Sequence, residues 1–156
     1  MKSLLVVNFK TYKESIGRRG TELARKIFLV KNSRWDIAIA PSLLDLEEVC
    51  KLKGVVFAQH SDPEEYGAHT GHITPLQLKK LGAKGTILNH SERKLPRKIL
   101  KQTVEECKQV GLITVVCAST IPELKKMTLL HPDYIAYEPK KLIGGSVSVT
   151  SAKPEI

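Results

Sequence analysis

The feature that most constrains the fold is a series of six short apolar runs that recur along the chain. Together they are rich in Val and Ile, and each is nearly continuous in apolar character rather than alternating with polar residues. Continuous runs of this length are typical of strands that are buried on both faces. The predicted strands are Ser3–Phe9, Asp36–Ala40, Val55–Gln59, Gly85–Asn89, Leu112–Ala118 and Asp133–Glu138.

The segments between these runs carry helical signals. Arg97–Val110 places its apolar residues on one stripe at helical spacing, and Gly111 follows where a left-handed residue is favoured. Thr74–Gln77 and Thr120–Glu123 each combine a threonine, an early proline and a Gln or Glu three residues on, which is capping-box spacing. Gly82 is the predicted end of the first of these two helices. The remaining predicted helices are Thr21–Lys31 and Leu43–Leu52.

Strand followed by helix, repeated along the chain, predicts an α/β fold with a parallel sheet and crossover helices. Two architectures meet this description, an open doubly wound sheet and a (β/α)8 barrel. The glycine-rich phosphate motifs typical of the open sheet are missing from the sequence. The pattern alone leaves both architectures open. It shows no linker or internal repeat beyond the alternation, so residues 1–156 are interpreted as one domain.

The cysteine content and the hydropathy pattern bear on the compartment. The chain lacks a run of about 18 apolar residues, and its first apolar stretch is too short for a signal peptide. Its three cysteines, Cys50, Cys107 and Cys117, form no CxxC pair, and any disulfide scheme leaves one of them over. These observations predict a cytoplasmic protein whose thiols are packed as small hydrophobic groups.

The charge balance is strongly positive. The 156 residues include 25 Lys and Arg against 16 Asp and Glu, a formal net charge of +9. This excess would suit nucleic acid, an anionic membrane surface or a small anionic substrate. Aromatic residues make up only 5% of the chain and are not interleaved with the basic ones, which argues against stacking on nucleic acid. We therefore interpret the charge as a solvated basic surface and predict neither a nucleic acid nor a membrane partner.

Polar residues follow the predicted strands at the end where parallel α/β folds place their working groups. Individually each has an ordinary explanation, such as a solvated lysine, a helix-capping histidine or a surface acid. Together, a Lys, a His and a Glu fall at the same end of three different strands, and a barrel would bring them to one pocket. The candidate positions are Asn8, Lys10, Gln59, His60, His90, Ser91, Glu92, Arg93 and Glu138.

Several of these positions lie in longer motifs that are spaced over nearly the whole chain. The chain resembles the triosephosphate isomerase family, in particular its shorter archaeal form, and the motifs occur in that family's order. Asn-His-Ser-Glu-Arg and the Glu-Pro loop are the most specific of them. The matching segments are Asn8–Tyr12, Ala58–His60, Gly67–Pro75, Gly82–Gly85, Leu88–Arg93, Tyr137–Pro139 and Leu142–Gly144.

The resemblance implies a TIM (β/α)8 barrel, of which about six βα units are present in this sequence. It implies an intramolecular aldose–ketose isomerase that interconverts D-glyceraldehyde 3-phosphate and dihydroxyacetone phosphate through an enediolate. That reaction belongs to glycolysis and gluconeogenesis. The substrate that it implies is a small phosphorylated triose. It implies neither a metal nor an organic cofactor.

The resemblance also carries roles for individual residues, and the family is itself the standard example of this acid–base chemistry. Glu138 would be the base that moves the proton between two substrate carbons, and His90 the neutral imidazole that polarises the carbonyl. Lys10 and Asn8 would bind the substrate and stabilise developing negative charge. Glu92 would be a buried supporting acid. His90 also precedes a predicted helix start, whose positive end disfavours a cation there.

Pro139–Ser146 resembles the family's lid, which closes over the phosphate and excludes water. Gly144 would offer a backbone N–H to the phosphate. The family's usual Ile-Gly-Thr-Gly reads Ile-Gly-Gly-Ser here, at Ile143–Ser146. A second glycine adds hinge freedom, so the departure concerns lid closure rather than the chemistry.

The segment after the third predicted strand contains the family's intersubunit loop. Thr70 corresponds to the residue that reaches into a neighbouring subunit, which implies a homodimer or a homotetramer. The same segment offers His69 and His72, which with His60 could form a metal cluster. Two histidines three apart in a loop without a clear carboxylate partner rarely make a site, so we predict no metal.

The length departs from the family pattern. A (β/α)8 barrel usually has at least about 200 residues, and Ser151–Glu155 reads as a further helix start. We therefore expect residues 1–156 to be a C-terminally incomplete barrel domain that lacks two units. The alternative to the isomerase is a non-catalytic truncated or split barrel fragment, which needs a partner chain to complete the phosphate site.

Overall fold

The protein contains six strands connected by helices. A computed structural model describes residues 3–31 and 34–139. All six predicted strands are confirmed to within two residues at each end. They are β1 (Ser3–Asn8), β2 (Trp35–Ala40), β3 (Val55–Ala58), β4 (Gly85–Leu88), β5 (Ile113–Ala118) and β6 (Tyr134–Tyr137).

Five α-helices and one short 3-10 turn fill the connections. The helices are α1 (Gly17–Phe28), α2 (Leu46–Cys50), α3 (Pro75–Leu81), α4 (Arg97–Gln109) and α5 (Ile121–Thr128). The prediction of one helix over Leu43–Leu52 was wrong in detail, because Leu43–Asp45 forms the 3-10 turn and α2 starts only afterwards. Helix α1 starts four residues earlier than the predicted Thr21. Its start has no local cap, and instead the Gly17 N–H donates to Asp45 Oδ2 at 2.8 Å.

The predicted capping box of α3 and the predicted glycines after α3 and α4 are present, whereas at α5 only the Thr120 half of the box forms. At α3, Thr74 Oγ1 accepts the Gln77 N–H and Gln77 Oε1 accepts the Thr74 N–H, at 3.2 and 3.0 Å. Gly82 and Gly111 end their helices with positive φ angles of 98° and 69°. These features are local in sequence, which is why the capping spacing alone located them.

The sheet order decides between the two candidate architectures. The strands are hydrogen-bonded in the order β1-β2-β3-β4-β5-β6, and every pair is parallel. An open doubly wound sheet would reverse its order at a switch point, whereas a (β/α) barrel winds in chain order. Residues of both outer strands line one cavity, so the sheet is curved. The fold is therefore a partial TIM barrel of about six βα units.

Strand β5 shows why the apolar runs are continuous. Val116 and Ala118 pack with α4 and α5 residues on the convex face of the sheet. Val115 and Cys117 pack with Ile87 on the concave face. Both faces of the strand are thus removed from water, as the run predicted. The outer strands are more open, and Tyr134 of β6 is 46% exposed.

The described residues fit the sequence-based view of the thiols. Cys50, Cys107 and Cys117 are all free, and the last two are buried. Burial raises the pKa of Cys50 to about 11 and that of Cys107 to about 12, so both thiols are protonated at neutral pH. In the described part of the chain, no helix has the length and apolar character needed to cross a membrane.

Candidate active site

The carboxyl edge of the sheet brings together the residues that the sequence singled out. Lys10 follows β1, His90 follows β4 and Glu138 follows β6 directly. With Asn8, they line one cavity of about 340 Å³ on the concave side of the sheet. The convergence of a Lys, a His and a Glu from three strands is thus present.

His90 and Glu138 are in direct contact across the end of β5. His90 Nε2 lies 3.0 Å from Glu138 Oε1. The other ring nitrogen, Nδ1, accepts the backbone N–H of Glu92 at 3.2 Å. A nitrogen that accepts an amide N–H carries no proton of its own, so the neutral ring holds its proton on Nε2 and donates it to Glu138.

The loop that follows His90 separates it from the next helix. Residues 91–93 form a turn closed by the Arg93 N–H on the His90 carbonyl at 2.8 Å. Helix α4 begins at Arg97, where the sequence predicted it. The group that contacts His90 Nδ1 is therefore the backbone N–H of Glu92, and this turn and Pro96 separate His90 from the N-terminus of α4.

Glu138 is held by His90 and by the loop that follows it. In addition to the contact with His90, its Oε2 accepts the Ser91 N–H at 3.1 Å. Burial alone would raise the pKa of Glu138, but the hydrogen bonds from His90 and Ser91 outweigh it and leave that pKa below its ordinary value. The same neighbourhood raises the pKa of the Cys117 thiol, first through burial and then through the Glu138 charge.

Lys10 adopts a backbone conformation that is rare for a residue with a side chain. Its φ angle is +49°, which costs roughly 1–3 kcal/mol unless surrounding contacts enforce it. Asn8 Oδ1 accepts the Lys10 N–H at 3.0 Å, and Gln59 Nε2 donates to the carbonyls of Lys10 and Ala40, each at 3.0 Å. Sequence reasoning placed Gln59 at the edge but assigned it no role, because its partners lie far away in the chain.

Glu92 differs from the expected buried acid. Its side chain is 54% exposed. It still meets both expected neighbours, since Oε1 lies 2.7 Å from Lys10 Nζ and Oε2 lies 3.5 Å from His90 Nδ1. The hydrogen bond to Glu92 raises the pKa of Lys10 against the opposing effect of burial, so the ammonium is charged at neutral pH.

Thr70 lies at the exposed tip of a loop. The loop turns over residues 69–72, where the His72 N–H donates to the His69 carbonyl and Gly71 has a φ of +84°. Its base is closed by Asp62, which accepts the Ile73 N–H at 2.8 Å. Thr70 is exposed and is not among the described residues that line the cavity of its own chain.

The histidines of this region do not form a metal cluster. His60 is buried and contacts Asp62 Oδ1 at 2.9 Å, while the rings of His69 and His72 contact each other edge to face. Among the residues that the structure describes, no three His, Cys, Asp or Glu side chains are placed to hold a metal ion. Gly144 and the predicted lid after Pro139 lie outside the described residues.

A parallel sheet wound in chain order, with an acid, an imidazole and an ammonium at its carboxyl edge, defines a partial (β/α) barrel whose polar groups lie where barrel enzymes place their active sites. The family model described as triosephosphate isomerase matches residues 3–156. The chain is 42% identical to the triosephosphate isomerase of Methanocaldococcus jannaschii, over 98% of its own length and 71% of that relative. It is 40% identical to the enzyme of the same name from Archaeoglobus fulgidus and 41% to that from Thermoplasma volcanium, with 98% and 97% of the chain covered.

The chain belongs to the triosephosphate isomerase family, and the class of its reaction is isomerisation. The chain spans about 70% of the length of these relatives.

Proposed function

We propose that the protein interconverts D-glyceraldehyde 3-phosphate and dihydroxyacetone phosphate by proton transfer through an enediolate. The observation that carries this is the pairing of His90 Nε2 with Glu138 Oε1 at 3.0 Å beside an open cavity. A base and a neutral electrophile side by side are what proton transfer next to a carbonyl requires. The reaction would place the protein in glycolysis and gluconeogenesis.

Glu138 is the proposed base. Its lowered pKa keeps the carboxylate ionised and able to accept a proton at neutral pH. Both of its oxygens are engaged, by His90 and by the Ser91 N–H. To reach a substrate carbon the carboxylate must release at least one of these donors, and His90 is then free to donate to the substrate carbonyl.

His90 is the proposed electrophile. The Glu92 N–H occupies Nδ1, so the ring would lose that hydrogen bond if it became an imidazolium. It therefore donates from Nε2 as a neutral ring, and the enediolate oxygen receives a proton without a full positive charge beside Glu138.

Lys10 and Asn8 are the proposed substrate-binding residues. The Lys10 ammonium faces the cavity from its left-handed backbone position and supplies positive charge for the phosphate and the developing oxyanion. Asn8 Oδ1 accepts the Lys10 N–H, so the amide Nδ2 of Asn8 is the group that would donate to a substrate oxygen. Glu92 supports the site by orienting Lys10. Gly144 as a phosphate ligand, and closure of the lid, rest on the sequence resemblance alone.

The proposed assembly is a homodimer or a homotetramer, joined in part through the Thr70 loop. The exposed tip of that loop and its anchored base support this proposal. A neighbouring groove lined by Leu43, Tyr66 and Leu81, all of them exposed, supplies apolar surface beside the loop. We propose the cytoplasm as the compartment, on the strength of the three free thiols.

The test is a coupled isomerase assay on the purified 156-residue chain, with Glu138→Gln beside it. Gln keeps the shape and the hydrogen-bond acceptor but cannot take the proton, so turnover should fall by several orders of magnitude with the fold intact. Lys101→Gln, which breaks only an exposed ion pair with Glu105, is the matched control. Turnover of the parent chain no higher than that of Glu138→Gln would leave the family membership standing and reject the proposed activity of this chain.

A further inference from the structure

Asn89 occupies the turn between β4 and the loop that carries His90. Its φ angle is +58°, and it is only 3% exposed. Asn is one of the few residues with a side chain that adopts this conformation readily, because its amide can hydrogen-bond nearby backbone groups. Family membership does not explain why a buried amide is placed next to the proposed electrophile.

The amide of Asn89 uses both of its ends. Nδ2 donates to the Cys117 carbonyl at 2.9 Å and to Glu123 Oε1 at 3.1 Å, and Oδ1 accepts the Leu95 N–H at 3.0 Å. These bonds join the end of β4 to the end of β5, to helix α5 and to the far side of its own loop. A buried amide satisfied in this way has one orientation.

Glu123 hydrogen-bonds to the loop after β4 and to the end of β5, the same parts of the fold that Asn89 joins. Oε1 also accepts Lys94 Nζ at 2.8 Å, and Oε2 accepts the Ser119 N–H at 2.6 Å. The sequence predicted that Glu123 would reach back to Thr120 as a capping box, but its carboxylate caps Ser119 instead. Burial would raise the pKa of Glu123, but the hydrogen bonds from Lys94, Ser119 and Asn89 outweigh it, so the carboxylate is ionised.

The position of this network explains what it can do. His90 and Ser91, the next two residues after Asn89, both hydrogen-bond to Glu138. Cys117, whose carbonyl accepts from Asn89, lines the same cavity as Glu138 at the end of β5. The amide therefore connects the end of β4, whose loop supplies both donors to Glu138, with the end of β5, the neighbour of β6. Neither Asn89 nor Glu123 is among the described residues that line the 340 Å³ cavity.

We propose that Asn89 and Glu123 form a positioning pair that sets the orientation of the His90 ring relative to Glu138. The consequence for catalysis rests on the proposed isomerase function, but the positioning itself does not. The pair acts by fixing the backbone on either side of the site. A displacement of about 1 Å in such a site lowers rates up to about a hundredfold.

The first variant is Asn89→Asp. It keeps the size, the tolerance for a left-handed backbone and the acceptor for the Leu95 N–H, but it turns a carboxylate oxygen towards both Glu123 and the Cys117 carbonyl. In 15N spectra of the imidazole, we expect the His90 signals to move or to split into two tautomers. In the active protein we expect kcat to fall ten- to a hundredfold with little change in KM.

The second variant restores a hydrogen bond between positions 89 and 123, with the amide and the carboxylate exchanged. In Asn89→Asp with Glu123→Gln, the new glutamine amide can donate to the new aspartate. We expect the His90 signals to return towards the parent positions and at least part of kcat to return with them. Recovery in the double variant would show that the two residues act on His90 as a coupled pair.

Two further variants complete the test. Asn89→Gly accepts a φ of +58° without strain and removes the amide. If Asn89→Asp does not fold, the His90 signals are measured in this variant instead. Thr74→Ala removes the cap of α3, away from the site, and is the control for a general loss of stability. It should leave the His90 signals unchanged.

The outcomes are separable. Shifted His90 signals in the Asn89 variants, with a chain that shows no turnover, would support the positioning pair and reject the proposed function. Parent-like His90 signals in both Asn89→Asp and Asn89→Gly would overturn the positioning pair, whatever the activity of the chain.

Discussion

Lys10 Nζ lies 2.7 Å from Glu92 Oε1, a contact that passes over the ends of β2 and β3 to join the loops after β1 and β4. It can form only because the sheet is curved, and it places a charged pair at the rim of the cavity. Glu92 is half exposed, so water and salt weaken the attraction. The pair therefore orients Lys10 more than it stabilises the fold.

Glu92→Gln should change the ionisation of Lys10 more than the stability of the fold. Loss of the acid removes the main cause of the raised Lys10 pKa, so that pKa should move down towards its ordinary value. The free energy of unfolding should change by less than about 1 kcal/mol, because the pair is partly exposed. An NMR titration of the Lys10 side chain and urea unfolding test the two parts. Glu105→Gln, which disrupts an exposed ion pair with Lys101, should leave the Lys10 titration unchanged.

Glu138 should contribute to stability in a pH-dependent way. Its pKa in the folded protein is below the ordinary 4.5, so its hydrogen bonds stabilise the fold fully above pH 4.5. That contribution is lost as the pH falls from 4.5 through the lower folded-state pKa. The difference in unfolding free energy between the parent and Glu138→Gln should therefore shrink between pH 6 and pH 3. Because Asp62 and Glu123 are present in both proteins, their own titration cancels in the difference. A difference that is constant or grows towards acid pH would contradict the lowered pKa.

Gln59 should stabilise the left-handed backbone at Lys10. Gln59→Ala leaves the Lys10 carbonyl without this donor, while the Ala40 carbonyl keeps the Phe9 N–H, and should cost about 1–3 kcal/mol of unfolding free energy. If the protein is active, KM for the triose phosphate should rise, because the ammonium is no longer aimed at the cavity. Gln109→Ala is the matched control, since that amide is exposed and makes only a 3.5 Å contact with Glu106. Equal stability losses in the two variants would show that the Gln59 contacts are not specific supports.

Asp62 should hold the base of the Thr70 loop. Asp62→Asn weakens the contacts with His60 and with the Ile73 N–H, so the loop should open while the sheet persists. We expect faster proteolytic cleavage within residues 62–73 and, if the loop joins subunits, a shift to lower mass in analytical ultracentrifugation. Glu65→Gln, an exposed change in the same loop, should alter neither property. An unchanged cleavage rate in Asp62→Asn would show that the loop is anchored elsewhere.

The strands were predictable because a strand that is buried on both faces has apolar residues at consecutive positions. The caps at Thr74 and Gly82 were predictable because every partner lies within a few positions. The start of α1 was not, because its cap is Asp45, which is 28 positions from Gly17 in the chain. The site also has a part that is local in sequence and a part that is not. The ends of the predicted strands located Lys10, His90 and Glu138. The hydrogen bonds of Gln59 and Asn89 to residues far away in the chain leave no local pattern.

The helix that follows His90 begins at Arg97, as predicted, directly after Pro96. The expectation that its N-terminus would face His90 did not allow for the turn at residues 91–93, which lies between them. The exposure of Glu92 could not be read from sequence, because it depends on which groups cover the rim of the cavity.

The sequential order of the strands bears on how the chain can acquire its structure during synthesis. Each strand pairs only with its neighbours in the chain, so in the described part every new βα unit adds to a surface that has already been translated. A growing chain of this kind never has to wait for a distant segment before its next pairing forms, which favours folding on the ribosome in the order of synthesis. His90 and Glu138 are the exception, because their contact cannot form until β6 has emerged and docked.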